Sequence, residues 1–167
     1  MKLYVKQIST PLKEEFSVIN SKEENRYFVQ GESVSFGRKL HIYDNDKKEA
    51  ACIRQKFLSI QPRFHVFQGG KIVMEVSQKF TLIKHKYEID GSGWTISGDL
   101  ESHDYTIACS YGKVVGVSVS EFAGGEFLTL DLSNTVNEAM IVRALATVLA
   151  INCVASKKIS GQRKKKK

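Results

Sequence analysis

The stretch from Val136 to Val154 limits what this chain can fold into more than any other part of it. Between Ala139 and Ile151, eleven of thirteen residues are apolar, and only Arg143 and Thr147 interrupt. Wound as a helix, this stretch shows apolar side chains on every face and keeps none for water. Such a helix has to be wrapped, either by protein or by lipid. Its nineteen residues would reach about 28 Å, close to the thickness of a bilayer core. Thr135-Val136-Asn137-Glu138 has the spacing of a capping box, so the helix is expected over 136–154 with Thr135 as its cap.

The preceding 130 or so residues supply a candidate wrapper. Apolar and polar residues alternate in short runs bounded by turn residues, which is the pattern of strands. The runs are Leu3–Ile8, Phe16–Asn20, Arg26–Gln30, Lys39–Tyr43, Ala51–Phe57 and Arg63–Phe67. They continue with Lys71–Val76, Lys79–Ile89, Trp94–Ser97, His103–Ser110, Val114–Val119 and Phe127–Leu132. Brief connections such as Asp44-Asn45-Asp46-Lys47 and Gly69-Gly70 favour an antiparallel meander. A repeat is present as well. Gln55-Lys56-Phe57 through Arg63-Phe64-His65-Val66 matches Gln78-Lys79-Phe80 through Lys86-Tyr87-Glu88-Ile89 at an offset of 23. Each unit is a strand, a connector and a second strand, and hairpins of this kind bury their apolar faces only by stacking and curling.

A barrel of about twelve strands is too wide for its own side chains to fill. The apolar helix fits that space, as central helices do in other can-like folds. The expected fold is therefore mainly β: an antiparallel barrel of about twelve strands enclosing a C-terminal hydrophobic helix. Met140, Ile141, Leu145, Val148, Leu149 and Ile151 would meet the inward residues Leu40, Ile42, Ile53, Phe57, Phe64, Val66, Tyr87 and Ile89. Residues 1–156 form the one domain, and 157–167 a basic, disordered tail that aids solubility. Cys52, Cys109 and Cys153 are odd in number and set among apolar residues, so buried thiols in a reducing compartment are expected. No secretory signal is legible at Met1, and the cytoplasm is the expected location, with peripheral membrane association open to it.

The residues also carry a family resemblance. Ile53-Arg54-Gln55-Lys56-Phe57, Pro62-Arg63-Phe64-His65-Val66, Gln78-Lys79-Phe80 and Lys86-Tyr87-Glu88-Ile89 resemble the LURP-one-related family. So does Ile96-Ser97-Gly98-Asp99-Leu100 leading to His103-Asp104-Tyr105-Thr106-Ile107, over about residues 3–156 in all. The resemblance implies the tubby C-terminal-like fold, a twelve-stranded barrel around a central hydrophobic helix. Other proteins of that fold include tubby proteins, which bind membrane phosphoinositides, and phospholipid scramblases. The LURP-one-related family has no settled biochemical activity, and no phosphoinositide-binding residue of tubby can be placed on this sequence. Arg143 and Asn152 depart from the apolar helix that the family shows.

Charge is informative by segment. The net charge of +7 lies wholly in Lys157, Lys158, Arg163 and Lys164–Lys167, so it does not point to a nucleic-acid-binding domain. Within the body, residues 38–86 carry 11 basic and 4 acidic groups, whereas 87–156 carry 2 and 9. Lys39, Arg54, Lys56, Arg63, Lys79 and Lys86 fall on the polar side of the alternation, opposite the inward set. Brought together, they would make an anion patch for a lipid headgroup or an acidic protein. A solvated wall whose charges discourage edge pairing would have the same composition. Aromatic residues do not interleave these bases in a single-strand-binding pattern, so nucleic acid is not expected as a partner.

Signatures of enzyme chemistry are missing: there is no Gly-x-Ser-x-Gly, no phosphate-binding glycine loop and no His-Glu-x-x-His. Glu101, His103 and Asp104 form the densest titratable cluster, which also suits a solvated connection between strands. His41 and His65 occupy equivalent outward positions and could converge on zinc, but no third ligand is legible beside them. Asp44-Asn45-Asp46 lacks the glycine and distal glutamate of a calcium loop, so a hairpin turn is expected. We therefore expect a monomeric, non-catalytic binding or scaffold barrel with no cofactor and no metal. Two alternatives are a tail-anchored protein with 136–154 spanning the bilayer and an enzyme with an unrecognised site. Arg143 disfavours the first, at about 2.5–3.5 kcal/mol near a bilayer centre.

Overall fold

The structure is a computed structural model that describes residues 1–8, 13–32, 37–79 and 86–165, with side chains as far as Cys153. Twelve strands precede one helix. The first six are β1 (Lys2–Gln7), β2 (Glu15–Asn20), β3 (Asn25–Gly31), β4 (Lys39–Tyr43), β5 (Glu49–Gln55) and β6 (Arg63–Gln68). The rest are β7 (Lys71–Lys79), β8 (Lys86–Asp90), β9 (Thr95–Asp99), β10 (Asp104–Cys109), β11 (Gly112–Phe122) and β12 (Gly125–Leu132). The helix is α1 (Glu138–Lys165).

Period-two alternation sets each strand. In β4, Leu40 and Ile42 are buried while Lys39, His41 and Tyr43 face outward, and β6 repeats this with Phe64 and Val66. Cross-strand register keeps the inward residues level, as in Leu40 opposite Ile53 and Ile53 opposite Val66. Every neighbouring pair is antiparallel, in the order β8-β7-β6-β5-β4-β3-β2-β1-β12-β11-β10-β9. The first strand thus pairs with the last, Lys2 opposite Asp131, and the sheet closes nearly to a barrel. The two edges, β8 and β9, approach each other without forming a ladder. The basic segment forms the contiguous arc β4–β7 and ends at Lys86, the first residue of β8, while the acidic one takes in the rest of β8 and β9–β12.

α1 fills the interior. Leu145, Val148 and Leu149 are fully buried, and so are Ala144, Ala146 and Ala150, whose small side chains let the wall come close. The wrapper is therefore protein, and the tail-anchored alternative fails. Among the described residues no helix is long and apolar enough to cross a membrane. Asn137 caps the helix: its Oδ1 accepts the Met140 amide at 2.9 Å. The expected capping box at Thr135 is not used. The Glu138 carboxylate turns instead to the barrel, accepting the Tyr27 hydroxyl and lying 3.7 Å from Arg26. Thr147 is buried yet satisfied, because its hydroxyl donates to the Arg143 carbonyl at 2.8 Å. Arg143 sits near the helix entrance, where its Nε donates to Gln68 in β6 at 2.6 Å. At the far end the Arg38 guanidinium donates to the Cys153 carbonyl at 2.7 Å.

Several boundaries differ from the sequence reading. The expected strand Lys79–Ile89 is split, because β7 runs on to Lys79 and β8 begins at Lys86; the intervening part of the repeat lies outside the described residues. Phe57, expected inside, is 61% exposed, because β5 ends at Gln55 and the chain turns at Phe57-Leu58. Tyr87 is only half-buried. The helix backbone continues to Lys165, but the side chains expected to form the basic tail 157–167 lie outside the described residues. Cys52 and Cys153 are buried and Cys109 is half-buried, with no disulfide among them. Gly98 permits a close strand approach: at φ +119°, a Cβ there would lie 2.7 Å from the Tyr105 Cα across the ladder.

Two predictions come from this interior. Leu145→Asp or Leu149→Asp places an unpaired charge in the packed core and should cost more than about 3 kcal/mol in denaturant melts. A loss under about 1 kcal/mol would put those residues at a surface. The second concerns alkaline pH. Burial raises the Tyr27, Tyr87 and Tyr105 phenols, with Tyr87 pushed up to about 12. The unfolded chain releases these protons near pH 10, while the folded chain holds them longer. Stability is therefore complete below about pH 10 and falls as pH rises beyond it. Thermal melts should show this decline, and Tyr87→Phe should shallow it.

Candidate anion-binding surface

Because α1 occupies the barrel interior, the surface open to a partner is the outer wall. The arc β4–β8 brings the six basic residues onto that wall in couples. Lys39 is opposite Arg54, and Lys79 is opposite Lys86. The Lys56 amide donates to the Arg63 carbonyl at 2.8 Å, which makes those two neighbours. One row across the wall reads Lys39, Arg54, His65, Glu75, Asp90 on successive strands.

Carboxylates interleave with these bases. Lys39 Nζ lies 2.8 Å from Glu32, Arg63 lies 3.4 Å from Glu75, and Lys79 lies 2.6 Å from Glu88. Lys39 and His41 hold the Glu32 carboxyl below its ordinary range, and Glu88 raises the Lys79 ammonium. Arg54 lies over the Phe67 ring at 4.7 Å. Arg54, Lys56 and Lys86 are exposed and have no carboxylate partner among the described residues. Half of the expected patch is thus neutralised where it stands.

The two outward histidines do not converge. His41 is level with Cys52, whereas His65 is level with Arg54. Each is engaged by carboxylates: His41 with Glu49 at 2.7 Å and Glu32 at 2.8 Å, and His65 with Glu75 at 2.7 Å. The ligand atoms of His41, Glu49 and Cys52 do lie within 4.8 Å of one another, the one three-ligand group among the described residues. Burial pushes the Cys52 thiol above its ordinary value, so it is protonated at neutral pH. With both imidazole nitrogens of His41 at hydrogen-bonding distance from carboxylates, the group is built as a hydrogen-bonded clamp, and a metal would have to break it.

The other candidates resolve into turns. Asp44 Oδ1 accepts the amides of Asp46 and Lys48 at 2.9 and 3.0 Å, and so closes the hairpin between β4 and β5. Asp99 does the same for Glu101 and Ser102 at 3.1 and 3.3 Å, leaving His103 in the turn before β10. Burial lowers the His103 pKa. One feature escapes the sequence reading: a groove of about 480 Å³ lined by Phe28, Gln30, Tyr43, Asn45 and Lys47 among others. Phe28 and Tyr43 are cross-strand partners, and aromatic residues on both outward positions are the signal that marks it.

Comparison with known proteins gives a consistent result. The sequence model of the LURP-one-related family matches residues 1–150. YxjI, an uncharacterized protein of Bacillus subtilis (strain 168), is 30% identical over 149 residues, which span 89% of this chain and 91% of YxjI. The crystal structure of the Arabidopsis thaliana protein AT5G01750 superposes with a TM-score of 0.59 at 14% identity, covering 90% of this chain and 91% of that one. That likeness is one of fold.

The hydrogen-bonded clamp at His41 yields a prediction. Elemental analysis of purified, dialysed protein should find no stoichiometric zinc or calcium. One equivalent of zinc, lost on His41→Ala, would show that the cluster is a metal site.

Proposed function

From its membership of the LURP-one-related family, to which this chain belongs, we propose that it is a non-catalytic binding barrel whose outer wall across β4–β8 recognises anionic lipid headgroups. The observation that carries this reading is the occupied interior. With Leu145, Val148 and Leu149 fully buried at the barrel centre, a ligand has to be met on the outside. Arg54, Lys56 and Lys86 supply positive charge there that no described carboxylate cancels. Each contributes about 1 kcal/mol near an anionic leaflet, so the association is weak and falls as salt rises. Lys39 and Lys79 contribute less, since a lipid phosphate must compete with Glu32 and Glu88. The non-catalytic part rests on how the titratable clusters are used: Asp44 and Asp99 hold turns, and His41 and His65 hold glutamates.

The test uses the full chain with the bases of 157–167 changed to Gln in every sample, so that the wall alone is read. Co-sedimentation with phosphatidylserine-containing and phosphatidylcholine vesicles is then compared. Arg54→Gln, Lys56→Gln and Lys86→Gln together should lower binding to the anionic vesicles at least about tenfold, with stability changed by under about 0.5 kcal/mol. Lys39→Gln with Lys79→Gln should have the smaller effect. Equal binding by all three proteins, or by acidic and neutral vesicles, would refute the wall as a headgroup site.

A further inference from the structure

We propose that the tip of the β5–β6 connection, Phe57, Leu58 and Ile60, inserts into the interfacial layer of an anionic bilayer, beside headgroups held by Lys56. This rests on the headgroup reading of the wall and adds to it a second, apolar mode of contact.

In this tip Leu58 and Ile60 combine features that folding does not explain. Phe57, Leu58 and Ile60 are 61%, 88% and 94% exposed. Leu58 has φ +60°, a left-handed conformation that suits glycine or asparagine far better than leucine. A turn selected only for its geometry would carry one of those residues. Its base, by contrast, is fixed on both sides. The Lys56 amide donates to the Arg63 carbonyl at 2.8 Å, and the Gln55 amide to the Arg38 carbonyl at 2.8 Å. The Gln78 amide donates to the Pro62 carbonyl at 2.9 Å. The apolar residues are therefore presented from a braced support.

Charge identifies the occupant. No acidic residue occurs between Glu49 and Glu75, so the tip and both strands that carry it beyond Glu49 are purely basic. The Arg38 contact to the Cys153 carbonyl puts the C-terminal part of α1 at this same rim. The sequence that follows there is the lysine-rich run 157–167. Apolar protrusion with flanking positive charge matches an anionic bilayer, whose apolar layer lies just beneath its phosphates. A protein partner fits less well. Stable interfaces bury about 1,200 Å² or more, and a convex tip of three side chains offers no such area. A bilayer asks for no shape complement.

The experiment uses full-length protein on vesicles of phosphatidylserine and phosphatidylcholine. Leu58→Trp places a reporter at the tip, and the native Trp94, 6% exposed, supplies a constant background. Vesicles should shift the Leu58→Trp emission to the blue, and lipids brominated on their acyl chains should quench it. Phe57→Ser, Leu58→Ser and Ile60→Ser together should lower high-salt vesicle binding at least about tenfold, because apolar insertion resists screening while headgroup contacts do not. Their unfolding midpoint should match the parent protein. An unshifted Leu58→Trp spectrum, with binding still reduced by the wall substitutions, would overturn insertion and leave the wall reading standing. Absence of binding to anionic vesicles would overturn both. Lipid-free self-association in sedimentation, abolished by the serine variant, would overturn insertion by assigning the tip to a second copy of the chain.

Discussion

An apolar helix with no polar face has to be enclosed, and this molecule is the enclosure. Every other feature follows from that demand. The sheet must curl far enough to surround a helix, so it uses twelve strands and pairs its first with its last. The enclosed stretch must be slim, and Ala144, Ala146 and Ala150 make it so. Its polar exceptions have to be answered from inside: Thr147 by its own backbone, Arg143 by Gln68 at the mouth. The Glu138 carboxylate, fastened to Tyr27 and Arg26, ties the entering end to β3. Since the helix occupies the barrel, the outer wall is the surface left exposed.

That wall shows why segmental charge overstates a binding surface. Residues 38–86 are strongly basic in sequence, and topology does gather them on one arc. Register then decides what the charges do. Glu75 serves Arg63 and His65, Glu88 serves Lys79, and Glu32 reaches Lys39 from just beyond β3. Exposed pairs of this kind add little stability, because water and salt screen them. Their larger effect is to leave Arg54, Lys56 and Lys86 as the bases best placed to meet a partner.

The fold was largely legible because two physical signals dominate it. Alternation places Leu40, Ile42, Phe64 and Val66 inside, and continuous apolarity places Leu145 and Leu149 at the centre. Both survive small errors at the element ends. Where alternation ends was not legible, and Phe57 shows it: an apolar residue in phase with β5 that belongs to the turn after it. The helix cap was misread for a related reason. Thr135 and Glu138 have the right spacing, but Asn137 stands closer to the first turn, and the barrel claims the glutamate. The outward positions of the six bases followed from alternation; their glutamate partners depend on cross-strand register, which one sequence does not fix. The His41–Glu49–Cys52 group is of the same kind, assembled by a bulge between β4 and β5.

The order of the elements along the chain also sets when the molecule can form. During synthesis all twelve strands leave the ribosome before α1, and β1 waits for β12. The inward faces of all twelve strands are therefore made before the helix that covers them. Contacts between the two ends of a chain form slowly, because a long loop must close before they reward it. Until the last helix emerges, the nascent barrel is an open sheet with apolar residues uncovered and two unpaired edges, which is a species prone to aggregate. The barrel can therefore close and be filled only once both β12 and α1 are available.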